Sequence, residues 1–433
     1  MMSSSAIQRR IGVVIDLINP HGTQWYVISF GIGFGLNIIF TLVAASSLGA
    51  GGFGGFTLFT TVIQFAVTIV NAGFYTSTLT KANSHSSRPR VDALTRTRLT
   101  TSLALCSALG IVLAIPICLV RPTITNYIAS GMIYVLLIAL QPLWIYQLSG
   151  EHRIFNVLQI CQRACFAVPA VIAMRLNLDL PWVCIIFAIS PLPSAIYIIT
   201  KNSQLYNAIR PERIMKYRTL KTIVATLRSE SRFLLVDLLA TMATCLPTLI
   251  IAKTSNMHEL GGYSLTDRLR SYVITIFSPL NSSQYHRLCR YYLQGMYVRA
   301  SILLSRYQVV TFLFSVIVAC FANTILQSKL SGFGSGQYDN TQQAFEILAI
   351  FIPFLVVSSG VNLLYFSTQR LALAQQISSI LKVVLFALVY LPSHSYIGTI
   401  TAATTGTVAS ELMATIIVIL SSRRYSKLSL RLW

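Results

Sequence analysis

The chain has 433 residues, 54% of them hydrophobic and only 10% charged. Soluble domains carry about 25% charged residues, so a water-soluble enzyme of this size is excluded for want of a charged exterior. Lys and Arg total 33 against 12 Asp and Glu, a formal +21, but that charge lies in short loops between long apolar runs, which orients a multi-spanning membrane protein rather than binding nucleic acid.

In chain order, Arg9 and Arg10 precede only the short run Ile11 to Ile18, interrupted by Asp16 and followed by Asn19-Pro20. It reads as an interfacial amphipathic turn, not a cleaved signal. Twelve runs then approach the roughly 20 apolar residues that a membrane-spanning helix needs. They cover 25–47, 54–80, 99–120, 127–149, 154–174, 181–200, 233–252, 261–285, 307–326, 344–366, 371–391 and 397–420. With the N-terminus inside, 25 Lys and Arg fall in inside segments and 4 in outside loops, which places both termini in the cytoplasm. The remaining four, Arg163, Arg268, Arg270 and Lys382, fall within spans.

The basic inside loop 201–232 follows the sixth span and divides the chain into residues 1–200 and 233–433, six helices each. Gly54-Gly55-Phe56-Thr57-Leu58 is echoed 207 residues later by Gly261-Gly262-Tyr263-Ser264-Leu265. Both opening the second helix of their half, these segments predict parallel repeats related by a pseudo-twofold along the membrane normal, because six helices return the chain to its starting side. The eight cysteines form no CxxC and no Cys/His cluster with metal-ligand spacing. Cys161 and Cys165, four apart, read as small packing residues. No cofactor is implied.

Several spans carry polar residues three or four apart, hence on one helix face. The second holds Thr57, Thr61, Gln64, Thr68 and Asn71, and the fifth holds Asn156, Gln159 and Arg163. The seventh holds Asp237, Thr241, Thr244 and Thr248; the eighth holds Asp267, Arg270, Ser271, Ser278 and Ser282. The eleventh holds Gln375, Ser379 and Lys382, and the twelfth Thr404, Thr407 and Glu411. The plainer reading of a single threonine is a hydroxyl bonded back to its own helix. That reading fails for charges, which cost about 2.5–3.5 kcal/mol at a helix centre and therefore seek water or a partner. The stripes predict a hydrated cavity between the halves. Arg163 and Lys382, in the fifth and eleventh helices and each just after a Gln-Ile pair, would face one another across it and suit an anionic cargo such as a diphosphate.

For Asp267 and Arg270, three apart, mutual neutralisation competes with binding. Asp237, Asp267 and Glu411 are candidates for ion coupling, or else counter-ions of the cations. Glu346, like Asp237, lies near a helix end, where snorkelling lessens its cost.

The segment 25–74 resembles the opening of Wzx-type polysaccharide flippases, with Leu48-Gly49 and Phe53-Gly54 at the turn and Gly73 late in the second helix. Residues 259–288 look like that family's eighth helix, with Gly262-Tyr263, a charged stretch and then Pro279. Residues 347–420 are similar too, through Pro353, Asn362, Gln369-Arg370 and Gly398. The chain departs where the family often has a proline beyond the eighth helix, for His286-Arg287 stands there.

The resemblance implies an all-α integral membrane transporter of the multidrug/oligosaccharidyl-lipid/polysaccharide exporter superfamily, MATE-like, with two six-helix bundles around a cavity. The cargo it implies is an undecaprenyl-diphosphate-linked oligosaccharide drawn from membrane lipid, an O-antigen or capsule unit moved across the bacterial inner membrane. The partners it implies are a polysaccharide polymerase and a chain-length regulator. Asn156, Gln159, Arg163, Arg268, Arg270, Lys382 and Gln64 are the expected cargo-binding set.

Two rivals stand beside this reading. An ion-coupled multidrug antiporter on the same fold calls for an excess of acids, yet four span-embedded acids face four span-embedded cations. An O-antigen polymerase or membrane glycosyltransferase calls for a sizeable outer loop with paired carboxylates. The longest outer loop, 327–343, holds Asp339 alone.

Overall fold

The computed structural model describes residues 20–74, 98–106, 122–143, 152–201, 217–277, 296–330, 339–367 and 372–425, with isolated positions between them. Among these residues every regular element is helical. The turn at 11–18, most of the third span, most of the basic loops and Ser278, Pro279, Ser282, His286 and Arg287 lie outside them, as does the side chain of Gln375.

Helix α1 (Pro20–Asn71) contains the first two predicted spans as two limbs. They meet at Gly49, whose φ of 64° and ψ of 176° belong to a region open essentially to glycine alone. A kink at one glycine thus replaces the turn expected between 47 and 54. The second limb ends where Ala72 and Gly73 take φ of 47° and 71°, closing the helix in the left-handed region. A helical segment at 98–106 begins the third span. Helices α2 (Pro122–Ala139) and α3 (His152–Arg175) are the fourth and fifth spans. The sixth is broken into α4 (Leu180–Ile189) and α5 (Leu192–Lys201), because Pro191 and Pro193 interrupt the backbone ladder.

Helix α6 (Tyr217–Thr254) is the seventh span and extends well into the segment read as a basic loop. Hydropathy marks the part that matches the bilayer, whereas the helix continues through polar residues of good helical propensity. Helix α7 (Met257–Ile276) is capped by Asn256, whose side chain accepts from the Glu259 amide at 2.8 Å. Helices α8 (Tyr297–Leu330), α9 (Asp339–Ser367), α10 (Ala372–Ile397) and α11 (Thr399–Tyr425) complete the second half. Gly398, at φ 81°, makes the turn between the last two.

The molecule is a multi-pass membrane protein. Its outward-facing side chains are large and apolar, among them Ile172, Leu313, Ile317, Ile350 and Leu388, as lipid contact requires. Inside the first half, Phe40, Phe53 and Phe56 pack with Phe166, Phe187 and Met174. Inside the second, Ile251, Leu260, Tyr263, Phe386 and Tyr390 surround Ala402 and Ala403. Gly406 lets the α10–α11 pair close, since a Cβ there would lie 3.2 Å from the Phe386 ring. With no hydrophobic force between helices in lipid, small residues at such crossings supply the packing.

The repeat is physical as well as textual. A Cβ on Gly54 would overlap the Met257 carbonyl, and a Cβ on Gly261 would overlap the Ala50 carbonyl. Ala50 and Met257 are themselves 207 residues apart, the spacing of Gly54 from Gly261. One contact, made twice with the partners exchanged, is what a twofold axis generates. The axis sets α1 against α6 and α7, so the halves meet along the second limb of α1 with α6 and along its first limb with α7.

Candidate functional site

The α1–α7 seam gathers the polar groups. Tyr272 on α7 donates its hydroxyl to the Asn37 carbonyl at 2.9 Å, touches the Thr41 hydroxyl, and meets the Phe34 ring edge-on at 5.6 Å. Arg268, one turn earlier on α7, crosses to the first half and lies 5.1 Å and 5.7 Å from the ring centres of Phe53 and Phe56. A guanidinium in lipid surroundings gains from the negative faces of such rings. Arg163 on α3 also approaches α1. A Cβ on Gly33 would lie 2.6 Å from its Nη1 and 3.1 Å from its Cδ, so the glycine is the space that the guanidinium fills.

The other two cations are neutralised within the second half. Arg270 is paired with Asp267, Nη2 and Nε lying 2.6 Å and 2.9 Å from Oδ1. Lys382 on α10 meets Glu411 on α11 at 2.6 Å, each 21% exposed. Tyr263 and Thr407 stand between the pairs, their hydroxyls 3.1 Å apart. Of the three acids expected at ion-coupling positions, Asp267 and Glu411 are therefore counter-ions in this conformation. Asp237 is partly buried on α6.

Of the cations expected to line a cavity, Arg163 lies against Gly33 and Lys382 meets Glu411, in each case within its own half. In the fifth-span stripe, Asn156 is buried and Gln159 half-buried on α3, while Gln64 is exposed on α1.

Within the stripes, Thr61, Thr68, Thr244, Thr404 and Thr407 follow the plainer reading, whereas the buried Thr57 hydroxyl has no hydrogen-bond partner among the described residues. Thr61 donates to the Thr57 carbonyl at 2.8 Å, Thr68 to that of Gln64 at 2.9 Å, and Thr407 to that of Ala403 at 2.9 Å. Thr68 also touches Thr241 of α6 at 2.9 Å, so these hydroxyls zip helices together besides closing on their own turns.

One ion pair escaped the sequence reading. Arg98 and Glu230, both assigned to cytoplasmic loops, join at 2.8 Å with side chains 0% and 2% exposed. The available signal was an acid standing among the eight cations of residues 201–232.

Comparison with known proteins fits this geometry. A sequence profile of the family described as polysaccharide biosynthesis protein matches residues 21–285, more than half of the chain. The chain belongs to that family. No curated protein matches it.

Among solved structures, an outward-facing conformation of a multidrug resistance MATE family transporter of the MOP superfamily is similar with a TM-score of 0.61 at 14% identity, over 95% of this chain and 98% of the other. The inward-facing conformation is similar with a TM-score of 0.60 at 13% identity, over 93% and 98%. A MOP superfamily transporter from Pyrococcus furiosus, described as having a binding pocket of reverse polarity, is similar with a TM-score of 0.60 at 13% identity, over 95% and 97%. At these identities the likeness establishes the fold: twelve membrane helices in two six-helix bundles, as in MATE transporters.

Proposed function

We propose that this polysaccharide biosynthesis protein is a Wzx-type flippase. Its cargo is an undecaprenyl-diphosphate-linked oligosaccharide, an O-antigen or capsule unit, carried from the cytoplasmic to the periplasmic leaflet of the bacterial inner membrane. Both termini lie in the cytoplasm. The bundles correspond to residues 1–200 and 233–433, with 201–232 connecting them and supplying the first turns of α6. A polysaccharide polymerase and a chain-length regulator are the partners downstream.

The observation that carries the reading is the family match over 21–285 on a chain whose two halves meet at Arg268, with Arg163 lying against α1 at Gly33. A sugar diphosphate cannot cross hydrocarbon unaided, because stripping water from its charges costs many kcal/mol. Guanidinium and amide groups replace that water while the polyprenyl tail stays in lipid. Arg163 and Arg268 are the first contacts of the diphosphate, with Asn156, Gln159 and Gln64 on the sugar side. Arg270 and Lys382 join once the cargo competes with Asp267 and Glu411 for them.

The multidrug transporters among the similar structures favour a second reading, an ion-coupled antiporter for organic cations. Against it, Asp267 and Glu411 are already matched by Arg270 and Lys382, which leaves those acids engaged.

Deletion of the gene followed by analysis of inner-membrane lipids tests the proposal. The flippase reading expects diphosphate-linked oligosaccharide to accumulate facing the cytoplasm. Single units accumulating at the periplasmic face would indicate a polymerase, and uptake of an organic cation by the purified protein in vesicles would favour the antiporter.

A further inference from the structure

At the end of the seam remote from Gly54 and Gly261, the two halves meet again through charge. Arg98 opens the third helix of the first half and is fully buried. Its Nη2 donates to Glu230 Oε1 of α6 at 2.8 Å, and its Nη1 to the Phe74 carbonyl at 3.3 Å. The guanidinium also lies 5.3 Å from the centre of the Phe74 ring. Next to it, Gly73 at φ 71° brings the chain so near α6 that a Cβ would collide with the Leu234 amide nitrogen and with Phe233. Further along the same seam, Thr68 touches Thr241, and the Cys245 thiol reaches the Thr61 carbonyl at 3.8 Å.

We propose that Arg98 and Glu230 form a latch that closes this end of the seam and parts when the end opens during transport. The chemistry suits a reversible seal. A buried ion pair gains in attraction roughly what it loses in hydration, so it is stable closed and, once water enters, each charge recovers its hydration shell. Leaving one charge buried without the other is what costs most. The contacts above the latch are single hydroxyl and thiol hydrogen bonds, weak within membranes, and they part with it. Two states of similar free energy are what a population shift needs. The latch rests on the protein being a transporter that opens alternately, but not on the identity of its cargo.

The test uses the full chain in membranes, with the native cysteines replaced by alanine. Cysteine placed at position 68 (Thr68→Cys) reports on the seam, because Thr68 is only 8% exposed when the end is shut. Glu230→Gln in that background is expected to raise labelling by a water-soluble maleimide several-fold, and Arg98→Glu/Glu230→Arg to return it towards the parent rate. Gly73→Ala, which leaves both charges in place but wedges the chains apart, is expected to raise it as well.

In a second arm, Thr68→Cys/Thr241→Cys is expected to form a disulfide on oxidation, stop display of surface polysaccharide, and recover with reductant. Labelling unchanged by Glu230→Gln and by Gly73→Ala overturns the latch, as does a disulfide that fails to form, whereas raised labelling with a disulfide that leaves display intact overturns the flippase reading instead. The labelling arm needs no cargo, so failure of the flippase reading alone would leave its result standing.

Discussion

Two regions of the molecule treat charge differently, the interior of the second half and the ground beside α1. In the second half, Arg270 and Lys382 each lie 2.6 Å from an acid of their own half. The cations beside α1 are arranged otherwise, Arg163 filling the space above Gly33 and Arg268 lying on the faces of Phe53 and Phe56. The difference separates two uses of a costly side chain. A charge matched by an acid of its own bundle ties neighbouring helices together, whereas Arg268 reaches across the seam and joins the two bundles through aromatic faces.

That contrast predicts unequal consequences of substitution. Lys382→Ala removes one member of a pair whose partners keep only 21% of their side-chain exposure. It should destabilise the protein by about 3 kcal/mol, the low end for a broken buried pair, and Lys382→Ala/Glu411→Ala should recover most of that loss. Thermal unfolding of the purified variants, read as a double-mutant cycle, measures it. With Glu411→Ala as the second single variant, losses that simply add in the double variant would show that the pair contributes nothing.

Smaller is the effect at the twofold crossing. Gly261→Ala puts a methyl group onto the Ala50 carbonyl and should cost about 1–3 kcal/mol, as overpacking does. The same assay should find Gly35→Ala near neutral, since open space lies around that position.

Much of this was legible in the sequence, for physical reasons. Length and hydropathy mark spans because the bilayer has a fixed thickness. The Gly54 and Gly261 echo was legible because a twofold contact demands the same small residue in both copies. Asp267 and Arg270 could be paired from spacing alone, being one helical turn apart.

Lys382 and Glu411 could not, because their meeting depends on how α10 and α11 are rotated against each other. Arg98 and Glu230 lay further out of reach, 132 residues apart and each in a stretch whose charges looked like topology signals. Lys382 meets an acid of its own half, as the cost of burying a lone cation favours.

The account stands or falls on whether Arg163, the cation lying against α1 at Gly33, handles the cargo. The direct measurement is surface polysaccharide in cells whose only copy of the protein carries Arg163→Ala, with the amount of protein in the membrane measured alongside. The account predicts that the polysaccharide is lost while the protein persists at its normal level. A full coat of polysaccharide on cells bearing the variant would contradict it.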